Sequence, residues 1–172
     1  GEWLQMFKAV AETFPACIVI SDMQQKSAPM VYVNPEFCRV TGYNYAEAVN
    51  RNCKFLQGPG TEPQAIAIMQ DRLAKAKPCQ VQITNYRKNG EKFRNLLSMK
   101  PVFDPDGTYH YNIGVQFEVV HDFDLKERLV QTEDLLRLLP TKLPELRKGG
   151  PTLDAPAPAS APKQAGSAKR RG

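Results

Sequence analysis

The hydrophobic pattern in the first half of the chain alternates short apolar runs with helical spacings. The partly β-branched runs at 17–21 and 30–33 predict two strands. Two short helices should follow, because Asn34 precedes a proline, as an N-cap does, and Asn44 stands three residues before a glutamate, as in a capping box. A longer helix is predicted from 61 to 77, with its spacing set by Ile66, Met69 and Leu73.

The second half of the pattern predicts antiparallel hairpins. Strands are expected at 80–88, 91–102 and 108–120, separated by turn signals at 89–90 and 104–107. With the first two runs this gives five strands. The pattern therefore predicts an α+β fold in which an antiparallel sheet carries helices on one face.

The last predicted strand has two chemically different faces, because side chains alternate along a strand. One face is apolar and consists of Tyr109, Tyr111, Ile113, Val115 and Phe117. The other consists of Asn112, Gly114 and Gln116. The polar face can look outward in a ligand-free sandwich, or inward onto a flat ligand that the glycine admits. In the second case the apolar face needs a cover.

Two amphipathic stretches near the ends of the chain are candidates for that cover. The first has helical spacing at Trp3, Leu4, Phe7, Val10 and Ala11. The second has a stripe at Leu125, Leu129, Leu136 and Leu139. Each can dock on the sheet, serve as ordinary packing, or pair with a second subunit. A homodimer through these helices or the outer sheet face is therefore expected.

Composition divides the 172 residues into one core with extensions. We predict an N-terminal helix at 1–15, a core at 16–120, a C-terminal helix at 121–139 and a basic tail at 140–172. The tail carries the whole net charge of +5 and is rich in proline and alanine, which predicts disorder. Its charge gives a weak indication of contact with nucleic acid or an anionic membrane, so no nucleic-acid function is assigned.

The sequence has neither an apolar run long enough to span a bilayer nor a signal-peptide pattern. Its four cysteines are widely spaced, which argues against a disulfide framework or a zinc site. We therefore expect free thiols in a reducing, cytoplasmic setting, with no bound metal. Cys17, Cys38 and Cys79 are expected to be inert buried side chains.

Cys53 differs because it lies between two amide side chains in Asn52-Cys53-Lys54-Phe55-Leu56-Gln57. This motif resembles the signature of LOV (light, oxygen or voltage) domains, the blue-light receptor branch of the PAS superfamily. The resemblance covers about 17–119 and includes Asn85, Asn95 and Gln116. It implies a PAS-like five-stranded antiparallel sheet with helices that enclose a flavin.

The resemblance also implies a photochemical site. In the family a flavin, normally FMN, is bound non-covalently in the dark, and blue light drives a reversible bond between flavin carbon C4a and the motif cysteine, here Cys53. Gln116 would relay the change by rotating its amide, and the sheet would pass it to the terminal helices or a dimer interface. The expected cofactor-binding residues are Val19, Ser21, Asn52, Lys54, Leu56, Gln57, Ile66, Met69, Gln70, Leu73, Asn85, Asn95, Leu97, Met99, Gly114 and Gln116.

The residue types suit a flavin on chemical grounds as well. The edge of an isoalloxazine offers carbonyl acceptors and an N–H donor, and asparagine and glutamine supply both kinds of partner without a charge. Each residue also has a plainer interpretation. An isolated asparagine is usually a turn or cap residue, Gln57 can cap a helix, and the apolar members can be ordinary core.

The phosphate end of the expected site departs from the family, which commonly has arginines where this chain has Lys54 and Gln70. Lysine keeps the charge but lacks the bidentate fork, and glutamine donates only a neutral hydrogen bond. FMN is therefore expected, riboflavin can compete with it, and the short link at 58–63 disfavours FAD.

The sequence predicts a sensor and not an enzyme. The first interpretation is a blue-light photoreceptor that signals to an unidentified effector. The alternative is a PAS module that binds flavin without photochemistry, for redox sensing or dimerisation. A flavin enzyme would need a catalytic acid or base, for which His110 and His121 are weak candidates, and it ranks last.

Overall fold

The computed structural model describes residues 2–145. Five strands form one antiparallel sheet in the order β2-β1-β5-β4-β3, so the predicted α+β fold is confirmed. In chain order the elements are α1 Glu2–Ala11, β1 Cys17–Asp22, β2 Met30–Val33, α2 Pro35–Thr41, α3 Tyr45–Ala48, a 3-10 helix Cys53–Leu56, α4 Pro63–Ala74, β3 Cys79–Tyr86, β4 Lys92–Phe103, β5 Tyr109–Glu118 and α5 Asp124–Leu138.

The two predicted helix caps are confirmed. The side chain of Asn34 accepts a hydrogen bond from Phe37 N at 3.1 Å and begins α2. Asn44 and Glu47 exchange two hydrogen bonds, at 2.9 and 3.0 Å, and begin α3. Because these bonds satisfy backbone N–H groups that lack intrahelical partners, the chain turns into both helices at fixed positions.

Helix α4 is shorter than predicted. It begins at Pro63 and ends at Ala74, three residues before the expected end. Ala76 has φ of 49°, in the left-handed region, so the helix cannot continue through it. Thr61, which was expected in this helix, instead donates its hydroxyl to Thr84 O on β3 at 2.7 Å.

The two hairpins bring the amide-bearing strand positions together. Gly90 and Gly107 have φ of +87° and +90°, which glycine adopts without strain, and each lies in the tight turn of a hairpin. On β3 and β4, Ile83 is paired with Asn95, so Asn85 is only two residues away along the neighbouring strand. The register therefore explains how distant asparagines reach one site.

The outer face of the sheet is covered by both terminal helices. Phe7 and Ala11 of α1 and Leu139 after α5 join Ile113, Val115 and Phe117 in one buried cluster. Trp3 extends the contact by stacking on Tyr111, with ring centroids 5.8 Å apart. The prediction that β5 presents this face to a cover is confirmed. The prediction is wrong for two residues of the stripes, because Val10 is 51% exposed and Leu129 is 37% exposed and neither is buried against the sheet.

The chain continues on the sheet beyond the end of α5. Phe103 N donates to Thr141 O at 3.0 Å, and Leu143 N donates to Phe103 O at 2.8 Å. The start of the predicted tail is thus paired with β4, because the carboxyl end of β4 extends past its partner β3. The disorder predicted for the rest of the tail concerns residues beyond 145, outside the described part.

No helix between residues 2 and 145 combines the length and the apolar character needed to cross a membrane.

Candidate functional site

A cleft lies between the inner face of the sheet, the 3-10 helix and α4. It encloses about 480 Å³ including its open mouth, and about 50 Å³ of this would admit a water-sized group. Its walls are mostly apolar, with a few amide side chains, and none of the described lining residues carries a charge. The lining consists of Val19, Ser21, Cys53, Leu56, Gln57, Met69, Ile83, Asn85, Leu97, Met99, Asn112, Gly114 and Gln116.

Cys53 is the first residue of the 3-10 helix and faces this cleft. The preceding Asn52 holds the turn, because its Oδ1 accepts from Lys54 N at 3.0 Å and its Nδ2 donates to Ser27 O at 2.8 Å. Burial raises the pKa of the Cys53 thiol, while a backbone hydrogen bond and the charge of Lys54 act in the opposite direction. The thiol is therefore protonated at neutral pH, and its hydrogen is available to a ligand.

Three buried amides form a hydrogen-bonded cluster in the cleft wall. Asn95 Nδ2 donates to Asn85 Oδ1 at 2.9 Å and to Gln116 Oε1 at 2.6 Å. Asn85 Nδ2 in turn donates to Leu56 O at 3.3 Å. Asn95 Oδ1 is buried and has no hydrogen-bond partner. A buried acceptor without a partner is costly, so this atom points to a ligand that carries an N–H donor.

Gly114 keeps the cleft open beside the amides. A Cβ at this position would lie 3.7 Å from Gln116 Nε2, 3.7 Å from Leu97 Cδ1 and 3.8 Å from Val19 Cβ. A larger side chain would fill the space that these three residues border. The register supports this placement, since Gly114 lies between Val19 on β1 and Met99 on β4. The centre of the strand therefore offers a flat, apolar surface on which a planar ligand can pack, next to hydrogen-bonding groups.

The loop between the 3-10 helix and α4 is tied to β3. Gly60 N donates to the Tyr86 hydroxyl at 2.7 Å, and Glu62 accepts from Thr84 N at 2.7 Å. A Cβ at Gly58 would lie only 2.5 Å from the Tyr86 ring. The loop thus packs directly on an aromatic ring, and it narrows the mouth of the cleft on this side.

The structure brings most of the predicted site residues together, and it places six of them elsewhere. Asn95 is not itself in the lining, but its amide is hydrogen-bonded to Asn85 and Gln116, which are. Asn52 caps the 3-10 turn. Ile66 and Leu73, both on α4, pack in an apolar cluster with residues of β3 and β4. Lys54 and Gln70 are exposed. Asn52 does not line the cleft because its side chain is held by the bonds to Lys54 N and Ser27 O. Gln70 is exposed next to Met69, which does line it.

Two lining residues, Ile83 and Asn112, were not among the expected cofactor-binding residues. The alternation along β5 did place Asn112 on the cleft face with Gly114 and Gln116. The same rule applied to β3, where Ile83 lies two positions before Asn85, would have found Ile83.

Comparisons with known proteins agree with this geometry. The PAS domain family matches residues 15–121. Blue-light-activated histidine kinase 1 of Erythrobacter litoralis is 35% identical over 129 residues, which are 75% of this chain and 36% of that protein. The chain thus spans about a third of the length of this curated relative.

Two solved structures extend the similarity to the whole core. The LOV domain of a blue-light-activated histidine kinase from Erythrobacter litoralis is 37% identical, with a TM-score of 0.60, and the match covers 62% of this chain and 97% of that one. A light-oxygen-voltage domain described together with a flavin analogue is 32% identical, with a TM-score of 0.64, and the match covers 78% and 96% of the two chains.

Proposed function

This chain belongs to the PAS domain family and to its LOV branch, and from that premise we propose that it is a blue-light photoreceptor module with a flavin in the cleft. Its relatives include proteins named for activation by blue light, which supports the assignment. The observation that carries the proposal is that the protonated thiol of Cys53 and two amides of the cluster line one cleft, and that the third amide, Asn95, has a buried acceptor without a partner.

The residues fit a flavin ring. Its pyrimidine edge carries an N–H between two carbonyls, which matches the partnerless Asn95 Oδ1 and the amide nitrogens of the cluster. The apolar walls and Gly114 suit the flat tricyclic system. The amides now bond to one another, so binding of the ring would exchange some of these bonds for bonds to its pyrimidine edge.

When bound, the flavin would supply light absorption and an electrophilic carbon, C4a, and Cys53 would supply the sulfur and the proton for a reversible bond to it. The protein contributes a protonated thiol held by the 3-10 turn. Gln116 contributes an amide that can present either its oxygen or its nitrogen. Its Oε1 is held by Asn95, and its strand is paired with both β1 and β4, so reorientation of Gln116 would disturb the centre of the sheet.

The signal would pass to the helices that cover the sheet and from there to an effector. The relative named as a kinase is longer than this chain, and its kinase activity is not assigned to the described domain. We propose that the chain serves as a sensor for such an effector, acts as a homodimer, and works in the cytoplasm. No feature of the cleft favours a flavin enzyme over this function.

A visible spectrum tests the proposal. Protein purified in darkness should show a structured flavin band that bleaches under blue light and recovers in the dark. A flavin band that persists under illumination would contradict the photoreceptor function and favour the PAS module that binds flavin without photochemistry. Protein that stays colourless after expression with excess riboflavin would contradict both the photoreceptor and the non-photochemical flavin-binding sensor.

We expect FMN in the site, with only a modest advantage over riboflavin. Gln70→Arg should raise the affinity for FMN by about tenfold and leave that for riboflavin unchanged, since a charge-assisted contact to phosphate stabilises by about 1.5 kcal/mol more than the neutral amide. Calorimetric titration of flavin-free protein measures both affinities.

The matched control for that variant is Ile68→Arg, which adds the same charge about 200° away around α4. Ile68 is already 42% exposed, so the arginine is tolerated there. An equal gain in FMN affinity from both variants would show a general charge effect and would contradict a phosphate contact at position 70.

A further inference from the structure

Lys100 connects the sheet to the end of the C-terminal helix. It lies on β4 beside Met99, which lines the cleft, and strand alternation directs Lys100 to the opposite, helix-covered face. Its Nζ donates to Leu136 O at 2.7 Å and to Leu139 O at 2.6 Å. Adjacent residues of one strand therefore contact the cleft and α5.

The two carbonyls are suited to an ammonium group. The last carbonyls of a helix lack intrahelical partners and carry the negative end of the helix dipole. Leu136 O, in the last turn of α5, also accepts from Leu139 N at 3.4 Å, and Leu139 O belongs to the residue that follows the helix. The ammonium thus gives the first carbonyl a second partner and bonds the chain just after the helix. Burial lowers the pKa of Lys100, which shows that the group is partly removed from water. The carbonyls are the hydrogen-bond partners that compensate for this desolvation.

The segment after the helix strengthens the same anchor. Leu139 is 4% exposed, and the pairing of Phe103 with Thr141 and Leu143 keeps the chain on the edge of β4. The buried Thr132, whose hydroxyl donates to Arg128 O at 2.7 Å, marks where the docked part of α5 begins. From there to Leu143 the chain lies on the sheet.

The amino-terminal half of α5 is held much less. Phe123, just before the helix, is 79% exposed, Val130 is 55% exposed, and Leu129 faces solvent in part. This end is connected to the sheet by the Arg128 guanidinium, which lies 5.1 Å from the Phe117 ring centroid, and by an exposed ion pair between Arg94 on β4 and Asp122 before the helix. The helix is thus attached firmly at its carboxyl end, which packs on β4 and β5, and weakly at the end that directly follows β5 in the chain.

We propose that Lys100 is a positioning residue for signal output: it anchors the carboxyl end of α5, so that the helix responds to a change in the sheet by release of its amino-terminal half around that fixed end. The response to light rests on the proposed function, whereas the anchor itself does not. Because Met99 and Lys100 are consecutive, a shift of β4 at the cleft carries the anchored end of α5 with it, and the weakly held amino-terminal half is the part that loses its contacts.

Hydrogen exchange of the full chain tests the anchor in darkness. Lys100→Met keeps the aliphatic stem and removes the donors, so amide protection at 133–139 should fall by about tenfold, while protection of β5 stays unchanged. Lys100→Arg keeps the charge and the donors and should restore protection. Lys126→Met, which removes an exposed lysine of the same helix, should have no effect.

The outcomes decide the proposal. Unchanged protection at 133–139 in Lys100→Met overturns it. If Lys100→Met loosens the whole sheet, Lys100→Arg decides: a protected helix supports the anchor, and a frayed helix overturns it.

A second experiment measures hydrogen exchange under blue light. In the wild type, exchange should increase at 125–131 and stay slow at 133–139, whereas in Lys100→Met it should increase throughout α5. Equal loosening of both halves in the wild type overturns the proposed direction of release. Failure of the flavin band to bleach would instead reject the photoreceptor function, and the dark measurement would still test the anchor.

Discussion

Replacement of Cys53 by alanine is expected to abolish reversible bleaching completely and to leave the flavin bound. Cys53 is the one thiol among the described residues that line the cleft. Cys53 takes no part in the hydrogen bonds of the amide cluster, and removal of its sulfur leaves the rest of the lining in place. The measurement is the visible spectrum before and after blue light, with the flavin-to-protein ratio taken from absorbance.

The other three thiols provide matched controls for this variant. Cys17 and Cys79 are buried, and Cys38 is partly exposed on α2. Burial raises the pKa of Cys17 to about 12, so that thiol stays neutral and shielded. Cys38→Ala and Cys79→Ala should bleach as the wild type does. Bleaching that survives in Cys53→Ala, or that is lost in Cys38→Ala, would place the photochemistry elsewhere.

Local rules were sufficient to predict the sheet and its helices. The capping patterns at Asn34 and Asn44 mark where two helices begin, because a cap satisfies specific backbone groups within three residues. Alternation along β5 separated the covered face from the cleft face, and the structure confirms both. The end of α4 was misplaced, because the helix ends in a capping motif at Ala76, with Ala76 N bonded to Leu73 O and Lys77 N to Arg72 O, and the left-handed residue that such a motif needs is usually a glycine and not an alanine.

Side-chain direction in the site was harder to predict than position in the chain. Asn52 and Gln70 are at the expected places along the sequence, yet one caps the 3-10 turn and the other faces solvent on α4. The choice between capping and ligand contact depends on the neighbouring loop, here Ser27, which is distant in sequence. A partner of that kind is visible only once the fold brings the two segments together.

Asn34→Ala should destabilise the protein by about 4 kcal/mol, far more than the loss of an ordinary helix cap. Asn34 is fully buried, and its side chain makes four hydrogen bonds. Oδ1 accepts from Ile18 N at 2.8 Å and from Phe37 N, while Nδ2 donates to Ala11 O at 3.1 Å and to Ala16 O at 2.8 Å. One amide thus ties α1, β1 and α2 together, and its removal leaves four buried backbone groups without these partners.

Asn44→Ala is the matched control, because it removes the same side chain from an exposed cap. Asn44 satisfies Glu47 N at the surface, where water can replace it, so the cost should be about 1 kcal/mol. Urea unfolding curves with a common slope give both free energies of unfolding. Fluorescence of Trp3, the single tryptophan, follows the docking of α1, which Asn34 holds through Ala11 O. Equal costs for the two variants would contradict a central role of Asn34, because burial is what distinguishes these two caps.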